Sequence, residues 1–215
     1  MPAHPFDLAF DTLPEKLAVF PLPGALLLPR GILPLNIFEP RYLSMILDAL
    51  SNARMVGMIQ PREDASEEAL YDIGCAGRIT AFQETDDGRL LINLTGLCRF
   101  AIAEELELLR GYRRVRPDWQ AFRTDLEPPQ ESGVDSASLT DTARRYFNAT
   151  KIECDWERLA KLSTLELTNF LAMHLPLAPA DKQVILEAIS LEERAKSLTL
   201  VMQMNSIEEQ PTTRH

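Results

Sequence analysis

Over its first 122 residues the chain sets short apolar runs between turn residues at close intervals, which predicts a small β-domain rather than a helical one. Leu17 to Leu22 reads as the first strand. The clearest hairpin centres on Asp87 and Gly88, because an Asp-Gly pair suits the positive φ angles of a type I′ turn. Beyond that turn Leu90, Ile92 and Leu94 alternate with Leu91, Asn93 and Thr95, the period of two of a half-buried strand, and Ile79 to Gln83 is the expected partner. One helix interrupts the strands. It starts near Pro40, whose fixed φ and missing N–H suit a first helical position, and its buried face carries Tyr42, Met45, Ile46 and Ala49. The acidic stretch from Arg62 to Glu68 is expected to loop over the surface.

Further along, the apolar period lengthens to about 3.6 residues, as in amphipathic helices. Leu139, Ala143, Tyr146 and Phe147 form one stripe; Leu167, Phe170, Leu171 and His174 form another that must stop before Pro176; Leu191, Ala195, Leu198 and Met202 form a third. Ser163 with Glu166 and Ser190 with Glu193 have the S-x-x-E form of a capping box, so two helices are expected to start there. Asp181 to Ile189 reads as a shorter helix. Between the two regimes, Arg123 to Ser138 holds Pro128, Pro129, Ser132, Gly133, Asp135 and Ser136 with almost no periodic apolar residues, the composition of a linker or long exposed loop. The expected architecture is α+β: a β-rich domain over residues 1–122, a linker over 123–137, a helical domain over 138–208 and a flexible tail from 209 to 215.

An apolar content of 46% over 215 residues suffices for these cores. No run of eighteen uncharged apolar residues occurs, and the start Met1, Pro2, Ala3, His4, Pro5 lacks a basic region leading into an apolar core, so a soluble, unexported protein without a membrane span is expected. Cys75, Cys98 and Cys154 include no CxxC pair, which argues against a zinc site or disulfide framework and for reduced thiols in a cytoplasm. Charge marks no boundary: 12 basic stand against 17 acidic residues up to residue 122 and 10 against 15 after it, −5 in each part. The total of −10 repels a phosphate backbone, so nucleic-acid binding would need a localised basic face. Arg110, Arg113, Arg114 and Arg116 around Tyr112 are the best such segment, but Glu104, Glu105 and Glu107 lie upstream as cross-strand partners.

Signs of catalysis are missing. No glycine is followed by Lys as in a P-loop, and neither a G-x-S-x-G elbow nor an H-E-x-x-H helix occurs. Of three histidines, His4 and His215 are terminal, and His174 suits a helix C-terminus, where a cation is favourable. Cys98, in an expected strand, reads as a small core residue. No cofactor or metal is expected.

Leu33 to Tyr42 is the most distinctive segment: an apolar strand with Pro34 and Asn36 delivered into the Pro40 helix, with Phe38 and Tyr42 placed like a hydrophobic staple. Glu39 and Arg41 are expected to form an ion pair with Arg78 or Arg99. Here the chain resembles the Lon substrate-binding domain family, the N-terminal domain of Lon proteases that also occurs as free-standing bacterial proteins. The residues that carry the resemblance are Phe20, Pro21, Leu22; Leu28, Pro29; Pro34 to Tyr42; Gly57; Ile73, Gly74; Gly77, Arg78, Ile79; Asp87, Gly88, Arg89; Gly96; and Arg99, Phe100. Asp181, Lys182, Gln183, Leu186, Glu187, Glu193 and Arg194 look like the helical part that follows, so the resemblance covers about Leu17 to Met204. It departs at Arg30, where the proteases more often place Gly directly after Pro, and in the linker. The resemblance implies a PUA-like fold for the first domain and binding of unfolded or hydrophobic polypeptides, or of partner proteins, with no ATPase or Ser/Lys peptidase in this chain. Phe38, Tyr42 and Met45 are the expected binding residues. An RNA-binding PUA-like module is the alternative on fold analogy, and the acidic charge opposes it.

Overall fold

A computed structural model of the chain describes residues 9–62, 69–129 and 133–208. The chain divides into two compact units, Met1–Pro128 and Pro129–His215.

The first unit is built from β1 (Leu17–Pro21), β2 (Ile32–Ile37), α1 (Pro40–Leu50), β3 (Met55–Ile59), β4 (Ile73–Glu84), β5 (Leu90–Leu109) and β6 (Tyr112–Asp118). The strands pair in the order β2-β5-β4-β3-β1-β6, and β6 pairs with β5 again. That second pairing closes β5, β4, β3, β1 and β6 into a barrel, with β2 as an added edge strand. Only β1 and β3 run parallel among the described ladders. This barrel is the β-rich domain that the resemblance implies.

Why the barrel closes is legible in its interior. Phe100, fully buried on β5, is surrounded by Leu17, Val19, Ile59, Ala76, Val115 and Trp119. The ring fits because two facing positions are glycine: a Cβ on Gly57 would lie 2.9 Å from it and one on Gly74 2.7 Å. Trp119 meets it edge-on at 5.7 Å. Outside the barrel α1 packs on β1, β3 and β6, so β3 is buried along its whole length. The helix buries Tyr42, Met45, Ile46 and Ala49, the face that the apolar spacing predicts.

β5 is long enough to pass from the β2 ladder, which ends at Thr95, to the β6 ladder, which starts at Ala101, and its register against β4 shifts between Gly96 and Cys98. Leu28 to Gly31 crosses there with the form of a type II turn: Gly31 N–H donates to Leu28 O at 2.9 Å, Pro29 stands second, and Arg30 stands third with φ +67°. Arg30 N–H donates to Gly96 O, and Gly96 N–H donates to Gly31 O, both at 2.8 Å. The third place of such a turn favours glycine, and here Arg30 takes it with positive φ. Pro34 is tolerated in β2 because the strand is paired only with β5 among the described residues, and alternate residues of an edge strand need no ladder donor.

Two expectations for this unit are corrected. Of the residues flanking the Asp87-Gly88 turn, only Gly88 has positive φ, and Thr85 N–H reaches Arg89 O while Gly88 N–H reaches Thr85 O. The connection is a three-residue loop with a glycine bulge, not a type I′ turn. Two positive φ values instead fall at Arg110 and Gly111, in the tight turn that pairs Leu109 with Tyr112. The start of the expected linker is also ordered: Gln120–Leu126 is a 3-10 helix that buries Phe122 and lies against β5. Asp125 holds it there by accepting from Arg99 Nε, Arg99 NH2 and the Arg99 backbone N–H, at 2.9 to 3.0 Å. The irregular stretch shrinks to 127–135, of which 130–132 lie outside the described residues, as do 63–68 of the expected acidic loop and the tail from 209.

The second unit contains α2 (Ser136–Thr150), α3 (Trp156–Leu159), α4 (Thr164–His174), α5 (Pro179–Glu187) and α6 (Leu191–Glu208). α2 buries Leu139, Ala143, Tyr146 and Phe147, as its stripe predicts. Ser163 and Glu166 form a complete capping box. At the other expected start, Ser190 Oγ accepts from Glu193 N–H, while the Glu193 carboxylate reaches back to Ile189 N–H. α4 turns Leu167 and Leu171 inward and leaves Phe170 and His174 on its outer side. No described helix is long and apolar enough to cross a membrane.

Gly96→Ala tests the crossing, because the new Cβ would lie 2.0 Å from Leu28 O. It should cost about 4 kcal/mol or more in denaturant melts. Gly24→Ala, at φ +70° with open space around it, should cost only about 1 kcal/mol.

Candidate functional site

The strand-to-helix segment places its residues in three different environments. Phe38 is 62% exposed, Tyr42 only 7%, and Met45 is fully buried. The staple fails for a positional reason. Glu39 is the N-cap, so Phe38 precedes the cap and its staple partner, the fourth helical residue, is Leu43; Tyr42 is the third. The Tyr42 ring instead packs on Phe20 at 4.1 Å, with the Arg41 guanidinium 4.5 Å above it. Burial raises the Tyr42 hydroxyl above its ordinary value.

The expected long-range ion pair does not form. Glu39 binds Arg41 at 2.9 Å, both half-exposed. Arg41 is two residues away on the same helix start, so this pair needs no tertiary contact. Arg78 lies on β4 opposite Met55 and Thr95. Arg99 is 1% exposed, stacks on Phe122 at 4.6 Å and belongs to Asp125. Asn36 and Pro34 line a shallow depression of about 500 Å³ with Phe82 and Leu91.

The arginines of β6 meet the acidic run of β5. Arg113 binds Glu105, Arg116 binds Glu104 and Arg114 donates to the Glu107 carbonyl. Arg110 and the Tyr112 hydroxyl converge on Asp48 of α1. Burial, with that hydrogen bond second, pushes Tyr112 up to about 12. No basic face for a nucleic-acid strand is left in this segment.

Two further concave sites stand out among the described residues. In the first unit a cleft of about 580 Å³ runs between Pro21, Pro61 and Tyr42 on one side and Glu105, Leu106 and Leu108 on the other. In the helical unit a more apolar cavity of about 490 Å³ is lined by Phe147, Ile152, Leu159, Leu162, Phe170 and Leu175. His174 is at its margin, stacked on Phe170 at 4.7 Å with Nδ1 2.9 Å from Phe170 O. Sequence reasoning missed this cavity. Its walls come from α2, α3, α4 and the turns between them, and no single helix stripe reveals them; the only local sign was Phe170 within the α4 stripe.

Cys154 lines the helical cavity, but burial, with Asp155 second, raises its thiol above the ordinary value. Cys98 is buried on β5, and burial with the Asp125 charge pushes it up to about 12. Among the described residues no three His, Cys, Asp or Glu side chains gather as a metal site would need.

Against this geometry the comparisons with known proteins are decisive for ancestry. The family model of the ATP-dependent protease La (LON) substrate-binding domain matches residues 16–204. The chain belongs to the LON substrate-binding domain family. A Lon protease of Bacillus thuringiensis (strain Al Hakam) is 24% identical over 203 residues, 91% of this chain and 25% of that protein. One of Dictyoglomus thermophilum is 27% identical over 87% of this chain and 24% of its own length. The chain thus spans about a quarter of these relatives and matches their N-terminal region. Among solved structures, a Lon N-terminal domain protein from Xanthomonas campestris aligns over 86% of this chain and 97% of its own, with TM-score 0.60 and 21% identity. The N-terminal domain of a Mycobacterium avium complex Lon protease aligns over 87% and 98%, with TM-score 0.61 and 16% identity. These structures share the LON-domain fold, a β-rich part followed by helices.

Denaturant melts separate the two ion pairs. Asp125→Ala removes the carboxylate that accepts three hydrogen bonds from buried Arg99 and should cost about 3 to 5 kcal/mol, whereas Glu39→Ala should cost about 1 kcal/mol or less. The thiols give a second test. Thiolate is the reacting form, so iodoacetamide at pH 8 should alkylate part-buried Cys154 well before Cys98 and Cys75. The folded state holds the Cys98 proton more tightly than the unfolded chain does. Its stabilising linkage is therefore complete below the ordinary thiol value of 9.0 and should be lost as pH rises toward about 12.

Proposed function

We propose that this chain is a non-catalytic polypeptide-binding module of the cytoplasm, recognising unfolded or hydrophobic segments or partner proteins. The observation that carries this reading is the match to a substrate-binding domain through both units, residues 16–204. The helical cavity supports it: a concave apolar surface binds by burial, at about 25 cal/mol per Å² before the entropic costs of association. Exposed Phe38 offers a second apolar contact, and Tyr42 contributes through the wall of the β-unit cleft; Met45 acts only by packing α1. The sequence has no phosphate-cradling loop, burial raises the thiols of Cys98 and Cys154 above their ordinary value, and His174 is engaged with Phe170. Reduced cysteines suit the cytoplasm.

Fluorescence anisotropy against an array of unfolded-protein peptides, beside single-stranded RNA at two salt concentrations, tests the reading. Peptide binding should be micromolar or weaker, about −8 kcal/mol or less favourable, because one isolated module has no avidity. Salt should change it little, and Phe170→Ala should weaken it. Salt-sensitive RNA binding without peptide binding would replace this reading with the RNA-binding alternative. Hydrolysis of ATP or casein that tracked the purified chain would overturn the non-catalytic part.

A further inference from the structure

The crossing turn from Leu28 to Gly31 carries a residue that its backbone does not favour. Arg30 stands at φ +67°, in the left-handed region, where a Cβ is strained and glycine fits without cost. Its side chain does something that glycine could not. The Arg30 guanidinium donates through NH2 to the Glu127 carbonyl oxygen at 2.7 Å, across 97 positions of sequence. The base of that side chain is fixed, because Arg30 N–H donates to Gly96 O at 2.8 Å and Gly31 N–H donates to Leu28 O at 2.9 Å. At the other end, Glu127 is the first residue after the Gln120–Leu126 3-10 helix, and its N–H closes that helix by donating to Thr124 O at 3.1 Å.

Glu127 is also where the barrel hands the chain on. Before it, Asp125 is held by Arg99 and Leu126 packs against the barrel core. After it come Pro128 and Pro129. Each proline fixes its own φ, and the residue before a proline is confined to extended backbone, as Glu127 is at φ −81° and ψ 160°. A pair of prolines is a stiff spacer rather than a swivel, so its direction is inherited from the peptide that precedes it. The Glu127 carbonyl lies in one plane with the Pro128 nitrogen and Cα, because the peptide bond does not rotate. Holding that oxygen therefore holds the start of the proline pair.

We propose that Arg30 is a latch on the linker: the crossing turn holds an arginine against its backbone preference, and the guanidinium fixes the Glu127–Pro128 peptide and the direction in which the chain leaves the barrel. The latch removes a pivot at Glu127, at the expense of some stability in the turn. It accounts for an arginine where the backbone favours glycine, and it does not depend on what the chain binds.

Two substitutions in the full chain separate the latch from the turn. Arg30→Ala keeps a Cβ at positive φ and removes the guanidinium, whereas Arg30→Gly removes the strain as well. By nuclear magnetic resonance the Glu127 amide should exchange with solvent about three- to tenfold faster in both variants than in the parent chain, the effect of losing one hydrogen bond. Thermal melts should order the same variants differently, with Arg30→Gly about 2 to 4 °C above Arg30→Ala. The amides of Gly31 and Gly96, in the crossing itself, should keep their protection in both. Unchanged Glu127 exchange in Arg30→Ala would overturn the proposal. Faster exchange in Arg30→Ala that Arg30→Gly does not share, or lost protection at Gly31 and Gly96, would trace the effect to the turn and overturn it equally. Arg30→Gly melting at or below Arg30→Ala would show that the turn does not hold the arginine against a preference, and the latch as stated would fall.

Discussion

β5 serves ladders with β2, β4 and β6 within one closed sheet, and between the first and the last of these it passes Gly96, where the Leu28 carbonyl approaches so closely that no side chain fits. With the strand so aimed, Phe100 points into the barrel against the space left by Gly57 and Gly74, and Arg99, one residue earlier, points out toward Asp125. Successive strand residues alternate faces, so the aromatic plug and the buried ion pair are consequences of one strand's placement. Asp125 then straps the 3-10 helix across the barrel wall, and Phe122 and Trp119 complete the core that Phe100 begins.

This dependence explains what was readable in the sequence and what was not. Features set by a residue and its near neighbours were legible: the Pro40 start of α1 and its four buried residues, the Ser163 capping box, the α2 stripe. Turn type was less so. Asp87-Gly88 has type I′ composition, but only Gly88 takes positive φ, and the extra residue becomes a bulge. Arg110-Gly111 has no such composition, yet both residues take positive φ, in a turn that Asp48 of α1 secures through Arg110 and Tyr112. A tertiary contact supplied what local preference lacked.

The ion pairs show the same division. Arg99 had to find a carboxylate to be buried, and sequence patterning offered Glu39 because it is in the most conspicuous motif. The actual partner, Asp125, lies in a stretch whose prolines, serines and glycine read as a linker. Phe122 was its one sign of attachment, an isolated aromatic without periodic companions. Composition identifies where a chain lacks repeating structure; it does not show where a single residue is pinned to a core.

The candidate sites follow from how each unit ends its regular structure. In the helical unit, short helices joined by turns leave their aromatic residues incompletely covered, and Phe147 and Phe170 wall an apolar cavity. In the β-unit, the barrel closes with strands of unequal length, and β5 and β6 overrun β4 as an arm. The arm is charged without being acidic, because Arg116 and Arg113 of β6 pair with Glu104 and Glu105 of β5. Charges of both signs, Arg41, Glu105, Glu107 and Arg113, therefore line the β-unit cleft, whereas aromatic and aliphatic side chains dominate the cavity in the helical unit.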